Sequence, residues 1–116
     1  KAPEWLEQQQ DAASFASDWL ADLDIGDFAA AAVSYTVDGD REEARKQLED
    51  LRAGVGSCMS REYGGAVVFA VATDDSEHMI RVRYLSECSG KRLVESVDVL
   101  LRHTDPVILA YSVEEE

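Results

Sequence analysis

Two arginines and one glutamate carry the strongest chemical signal in this chain. Glu95 stands on an otherwise apolar register with Leu93, Val97, Val99 and Leu101. A carboxylate on such a register must be paired or hydrogen-bonded if it is buried. Arg52 and Arg61 flank the point where helical spacing gives way to strand alternation, and Arg61 shares a predicted strand face with Val55 and Met59. Arginine can grip a carboxylate through two parallel hydrogen bonds. One reading of the trio is an ion pair that ties a helix to a sheet, and this is the preferred one. The other is an anion site in which Arg52 or Arg61 holds a ligand carboxylate.

The remaining reactive residues offer less. Cys58 and Cys88 are the two cysteines. They form no Cys-x-x-Cys pair, so redox catalysis has no motif behind it. In an exported protein they would pair, and in the cytosol they would be two buried thiols; the spacing leaves both open. A bridge would close a loop of ~30 residues, worth ~3 kcal/mol if unstrained. His78 lies near Asp74, Asp75 and Glu77, and His103 lies beside a turn. Their spacing matches no compact metal motif, so no metal and no cofactor is expected. Ser/His/Asp and Cys/His catalysis have no motif support.

The elements that must position these residues follow from periodicity. Ala12, Phe15, Ala16, Trp19, Leu20 and Leu23 recur at helical spacing and predict a first helix over about 3–23, with Pro3 in its first turn. Asp24-Ile25-Gly26-Asp27 breaks it, with Gly26 suited to a left-handed conformation and Asp27 to capping. A short alanine-rich helix is expected from Phe28 to about Thr36. Asp38-Gly39-Asp40 is a turn, and Asp40 with Glu43 resembles a capping box. A third helix then carries an apolar stripe of Ala44, Leu48 and Leu51, with Gly54 as its stop. Trp5 falls outside the first stripe and marks either a contact surface or a loosely packed end.

Strand signals fill the second half. Val55 to Tyr63 alternates, Gly64-Gly65 is a hairpin turn signal, and Ala66 to Ala72 is a short apolar run. Thr73 to Glu77 is a polar turn. His78 to Leu85 alternates again, Ser89-Gly90 turns the chain, and Leu93 to Arg102 is a long strand. Thr104-Asp105-Pro106 leads to a last strand over Val107–Val113, followed by a solvated Glu114–Glu116 tail. Helices first, then about five strands joined by tight turns, predict a single α+β domain over residues 1–116: helices over about 3–53 packed on a curved antiparallel sheet over about 55–113.

Composition bounds the function. Hydrophobic residues make up 46% of 116, enough for one globular core. Twenty-four acids against 11 bases give a net charge of −13, a surface that repels phosphate backbones and anionic lipid. Nucleic acid and membrane insertion are therefore not expected. The charge also suits plain solubility. The chain begins Lys1-Ala2-Pro3-Glu4 with no apolar leader, and the missing initiator Met fits a processed chain.

A family likeness rests on Trp19-Leu20, Asp24-Ile25-Gly26-Asp27-Phe28, Arg52, Gly56, Arg61, Tyr84, Glu95 with Val97, and Ala110-Tyr111. In this order and spacing the chain resembles an uncharacterised family of small exported bacterial proteins of cystatin-like, nuclear-transport-factor-like fold. The resemblance spans about Ala12 to Val113. It implies that fold and an exported or periplasmic location, with the cytoplasm as the alternative, and it implies no reaction. A ketosteroid-isomerase-type mechanism is the enzyme alternative for such a fold. It needs a carboxylate base and an acidic tyrosine facing one apolar cavity. Glu95 or Asp98 would be the base, only one of them facing inward, and Tyr35, Tyr63, Tyr84 or Tyr111 the donor.

The expected role is non-catalytic: binding of a small apolar or anionic ligand, or of a protein partner, in the helix–sheet concavity. Arg52, Arg61, Glu95, Tyr84 and Tyr111 form the candidate ligand-binding set. A third class, an interaction module without a cavity, would use the apolar Ala66–Ala72 strand to form a homodimer.

Overall fold

The computed structural model describes residues 4–35, 40–71, 77–102 and 106–116, with backbone alone at Glu4, Trp5, Ala70 and Val71. Pro3, the Asp38-Gly39 turn, Asp74, Asp75, His103 and the Thr104-Asp105 turn lie outside the described residues, as does the side chain of Trp5. Within them the chain forms helices α1 (Glu4–Asp24), α2 (Phe28–Val33) and α3 (Arg41–Val55), then strands β1 (Cys58–Val71), β2 (His78–Cys88), β3 (Lys91–Leu101) and β4 (Val107–Glu115). The strands make one open antiparallel sheet in the order β1-β2-β3-β4. This is an α+β architecture, with α1 lying against β1, β2 and β3.

The periodicity of α1 is realised almost as read. Ala12, Ala16, Trp19, Leu20 and Leu23 are buried, and Phe15 is partly so. Asp27 caps α2 by accepting from the Ala30 N–H, and Asp40 caps α3 by accepting from the Glu42 N–H. Each cap satisfies an amide that the helix cannot bond internally. The second helix ends at Val33, short of Thr36. Beyond it Tyr35 makes a parallel bridge to Ile108, with the Ile108 N–H donating to the Ser34 carbonyl at 2.6 Å. The chain leaves the helix because it is recruited to the rim of β4.

Helix three differs from expectation at its end. It runs through Gly54 to Val55, and Gly56 at φ +82° terminates it, its N–H bonded to the Arg52 carbonyl. A Cβ on Gly56 would stand 1.9 Å from Ser89 Oγ, so this position also allows close approach of the β2–β3 turn. The buried stripe is Ala44, Leu48 and Arg52, whereas Leu51 is 37% exposed. An i, i+4, i+8 spacing keeps one line along the helix, and the arginine occupies its last place.

The sheet has four strands where about five were expected. Gly64-Gly65 does not reverse the chain. It sits inside β1, where the register against β2 slips between Tyr63 and Gly65, and Gly65 takes φ +117°. Two predicted strands are thus one bulged strand, with further slips between Cys58 and Ser60 and between Val68 and Ala70. The first slip removes Met59 from the face of Arg61, and Met59 is 87% exposed. A bulge bends its strand and raises the local twist. Ser89-Gly90 is the hairpin turn, both residues at positive φ between the paired Cys88 and Lys91. The acidic end is not a free tail: Glu114 and Glu115 complete β4, and Glu115 and Glu116 pair with Lys91 and Arg92.

The core lies between the helices and the inward register of the sheet. Ile80, Val82, Val97, Val99 and Ile108 are fully buried there. Trp19 is its aromatic centre, stacked on Tyr35 at 5.9 Å and edge-on to Tyr111 at 5.3 Å. Its indole N–H donates to the Ala31 carbonyl at 2.9 Å, which fixes α1 against α2.

Candidate functional site

At one end of this core, α1, α3, β1 and β3 deliver charged side chains to a single point, and β2 and β4 add a hydroxyl each. Glu95, inward on β3, is completely buried. Its Oε1 accepts from Arg61 Nε at 2.8 Å and from the Ser86 hydroxyl. Its Oε2 accepts from the Tyr111 hydroxyl at 2.5 Å and lies 3.7 Å from Arg52 Nη1. Asp24, at the C-terminus of α1, closes the circuit: it accepts from Arg52 Nη2 at 2.8 Å and from both terminal nitrogens of Arg61, at 2.6 and 3.1 Å. Two arginines and two carboxylates thus form a ring of zero net charge.

Burial raises the pKa of the Glu95 carboxyl, but hydrogen bonds from Arg61, Ser86 and Tyr111 and the Arg61 charge outweigh it and hold the group below its ordinary value. Burial likewise opposes ionisation of Asp24, and the two guanidinium groups overcome it. Burial and the Glu95 charge push the Tyr111 hydroxyl up, so it stays protonated and donates. Glu95 is therefore an anion that accepts three hydrogen bonds, with the Arg52 guanidinium facing it at 3.7 Å and its buried Nη1 making no hydrogen bond among the described residues.

Sequence reasoning placed Arg52, Arg61, Glu95 and Tyr111 in one set, and they meet. Tyr84 does not join them: its hydroxyl donates to the Ala13 carbonyl at 2.9 Å, and burial pushes its pKa up to about 12. Asp24 and Ser86 were missed. Charge balance could have found the first, since two arginines and one glutamate leave a positive charge uncompensated. Ser86 carries the same signal as Glu95, a polar residue on the inward register of Ile80, Val82 and Tyr84. Among the other tyrosines, Tyr35 stacks on Trp19, and Tyr63 is 54% exposed and packs edge-on to Tyr84. Asp98 points to the opposite face, where Arg81 clasps it through two nitrogens at 2.8 and 3.0 Å.

Cys58 and Cys88 face each other across β1 and β2 and are joined by a disulfide. The bond sits beside the charge ring, with Arg52 Nη2 3.4 Å from Cys58 Sγ. His78 lies 3.5 Å from Gln8 Nε2 through its Nδ1. Among the described residues no group of three or more His, Cys, Asp or Glu is placed to hold a metal ion.

The chain matches no family model, no curated protein and no solved structure. Its function must be read from its own surfaces. No described helix is long and apolar enough to cross a membrane.

The opposite face of the sheet is a second region with shape and charge. Its outward residues form cross-strand rows. Gly65, Arg83, Ser96 and Ser112 make one row, and their small neighbours leave Arg83 standing over a trough. Glu62, Leu85, Val94 and Glu114 bound it on one side, and Val67, Arg81, Asp98 and Ala110 on the other. A groove of about 530 Å³ runs over the β2–β4 part of this surface, and one of about 370 Å³ over the β1–β2 part; Gly64, Arg81 and Arg83 line both. Val67 and Phe69 are 60% and 46% exposed at the β1 end, and the Arg81 guanidinium lies 5.1 Å over the Phe69 ring.

Proposed function

We propose that this domain is a non-catalytic binding module of an exported protein, and that its working surface is the helix-free face of the sheet. The observation that carries the reading is the burial of Glu95 among its own partners. A catalytic or ligand-gripping carboxylate needs an approach from solvent, and Glu95 is completely buried and already accepts three hydrogen bonds. The isomerase reading asks Glu95 and a tyrosine to converge on an open apolar cavity. Tyr111 instead spends its hydroxyl on Glu95 itself, and Tyr84 spends its own on α1. Ala16, Trp19, Leu20, Val82 and Val97 are buried between the helices and the sheet. The outer face, by contrast, combines grooves, a basic side chain and exposed apolar groups.

Export is supported by the disulfide, which persists in oxidising compartments. It agrees with the resemblance to small exported bacterial proteins of cystatin-like, nuclear-transport-factor-like fold. Self-association through Val67 and Phe69 is a second reading, favoured by their exposure and opposed by the charge of −13.

Amide-shift mapping of a mixed set of neutral and charged fragments on the full chain tests the proposal. Perturbed amides should cluster at Gly64, Arg83, Ser96 and Ser112. Clustering at Trp19, Glu95 and Tyr111 would overturn it. So would turnover of a β,γ-unsaturated ketone that Tyr111→Phe abolishes in a folded protein. Light scattering addresses the second reading: a monomer at high concentration removes it.

A further inference from the structure

The trough on the outer face has a chemistry that names its occupant. Arg81 and Arg83 leave the same face of β2 two residues apart, yet their surroundings differ. Across the strands Arg81 meets Asp98 and is committed to it. Arg83 meets Gly65 on one side and Ser96 on the other, and among the described residues it makes no ion pair. In a chain with 24 acids and 11 bases, an exposed guanidinium without a carboxylate is unexpected, because acids are in excess everywhere. Here the register excludes them: the two neighbours that could have carried a counter-charge are a glycine and a serine.

The same register supplies the rest of a site. Ser96 and Ser112 put two hydroxyls along the floor, as donors beside the guanidinium fork. Leu85 and Val94 give one apolar wall, and Val67 with Phe69 gives an apolar end. Gly64 cannot carry a side chain into this space without cost, since a Cβ there would stand 3.1 Å from the Arg83 carbonyl. Glu114 stands at the margin and Asp98 is already neutralised by Arg81, and phosphate has no apolar body to lay along the wall.

We propose that the trough binds a small monocarboxylate with an apolar or aromatic body: the carboxylate on Arg83 and the Ser96 and Ser112 hydroxyls, the body along the apolar wall or over Phe69. Arginine's planar fork matches a carboxylate in two-point geometry, and the apolar groups flank the trough cation that makes no ion pair among the described residues. This assignment rests on the reading of the outer face as the working surface.

The test uses 3-phenylpropionate, its neutral amide and inorganic phosphate, each titrated against the full chain while amide shifts are followed. The acid should give saturable shifts at Gly64, Gly65, Ser96 and Ser112, and should bind at least about tenfold tighter than the amide, the size expected of a charge-assisted hydrogen-bond pair. Phosphate should bind more weakly than the acid. Arg83→Gln should erase the preference for acid over amide, while Arg41→Gln, on α3, leaves it intact. Equal binding of acid and amide at these amides overturns the carboxylate assignment and leaves the outer-face reading standing. Shifts confined to Trp19, Glu95 and Tyr111 overturn both. Absence of any saturable shift overturns the assignment, as does a preference that survives Arg83→Gln.

Discussion

Arg52 and Leu51 are adjacent in sequence and opposite in environment. The arginine is 6% exposed within the charge ring, and the leucine is 37% exposed on the helix surface. Arg52→Ala should therefore cost about 3–5 kcal/mol, because it takes a buried cation from the fully buried Glu95 and from Asp24, whereas Leu51→Ala should cost under about 1 kcal/mol. Urea unfolding of the two variants checks the order, which hydrophobicity alone would reverse. Glu95→Gln should also cost about 3–5 kcal/mol at neutral pH, since it leaves Arg61 and Arg52 with Asp24 alone against two positive charges. The pH dependence has a definite sign. The folded Glu95 pKa lies below its ordinary value of 4.5, so its ionised form stabilises the fold above that value and the benefit fades as pH falls through the folded pKa. The stability gap between wild type and Glu95→Gln should be full at pH 7 and narrow only below about 4.5; a gap that narrows on the alkaline side would contradict the ring.

Elements were legible wherever one residue face was uniformly apolar. The α1 stripe, the inward positions of β2 and β3, the Asp27 cap and the Ser89-Gly90 turn all follow from local rules that the tertiary structure leaves intact. Failures came where a local signal has two meanings. Gly64-Gly65 signals a hairpin, but a glycine pair also makes a bulge, and only long-range pairing of β1 with β2 selects between them. Gly54 reads as a helix stop, but Gly56 lies where the Ser89 side chain must approach, so termination falls there. Arg52, Arg61, Glu95 and Tyr111 could be grouped from sequence because each breaks or polarises an apolar register. Asp24 is passed over by that rule because a carboxylate at a helix end is ordinarily solvated, and only the balance of charge against the two arginines points to it. The Cys58–Cys88 bond, left open by spacing, closes a separation of 30 residues at the start of β1 and the end of β2. Replacing both cysteines by serine should lower unfolding stability by roughly 3–4 kcal/mol on the chain-entropy account. Equilibrium unfolding of the double variant beside wild type under oxidising conditions measures it; an unchanged midpoint would mean that the strands hold β1 to β2 without the bond.

At the scale of the whole molecule, the ion pairs and the net charge pull in different directions. The charge ring is neutral and partly buried, whereas the excess of 13 negative charges lies outside it. Raising ionic strength from about 0.01 M to 0.5 M shortens the screening length from about 30 Å to a few ångströms, so surface repulsion should fade while the ring is little affected. The thermal midpoint should rise with sodium chloride; a fall would assign more of the stability to exposed pairs such as Arg45 with Glu42 and Glu49. The bulges of β1 bear on a different hazard. Ala66 to Val71 is the run most suited to stacking into a fibril, since it is apolar and lies on an outer strand. A cross-β zipper needs six or seven residues in unbroken register. Between its slips β1 offers only Ser60–Tyr63 and Gly65–Val68 as regular stretches, and the second ends before Phe69. The other rim is occupied at Ile108 by the Ser34 carbonyl and finishes in three consecutive glutamates. One rim is thus broken by bulges and the other ends in charge, two devices by which an open sheet blunts the edges that would otherwise recruit further strands.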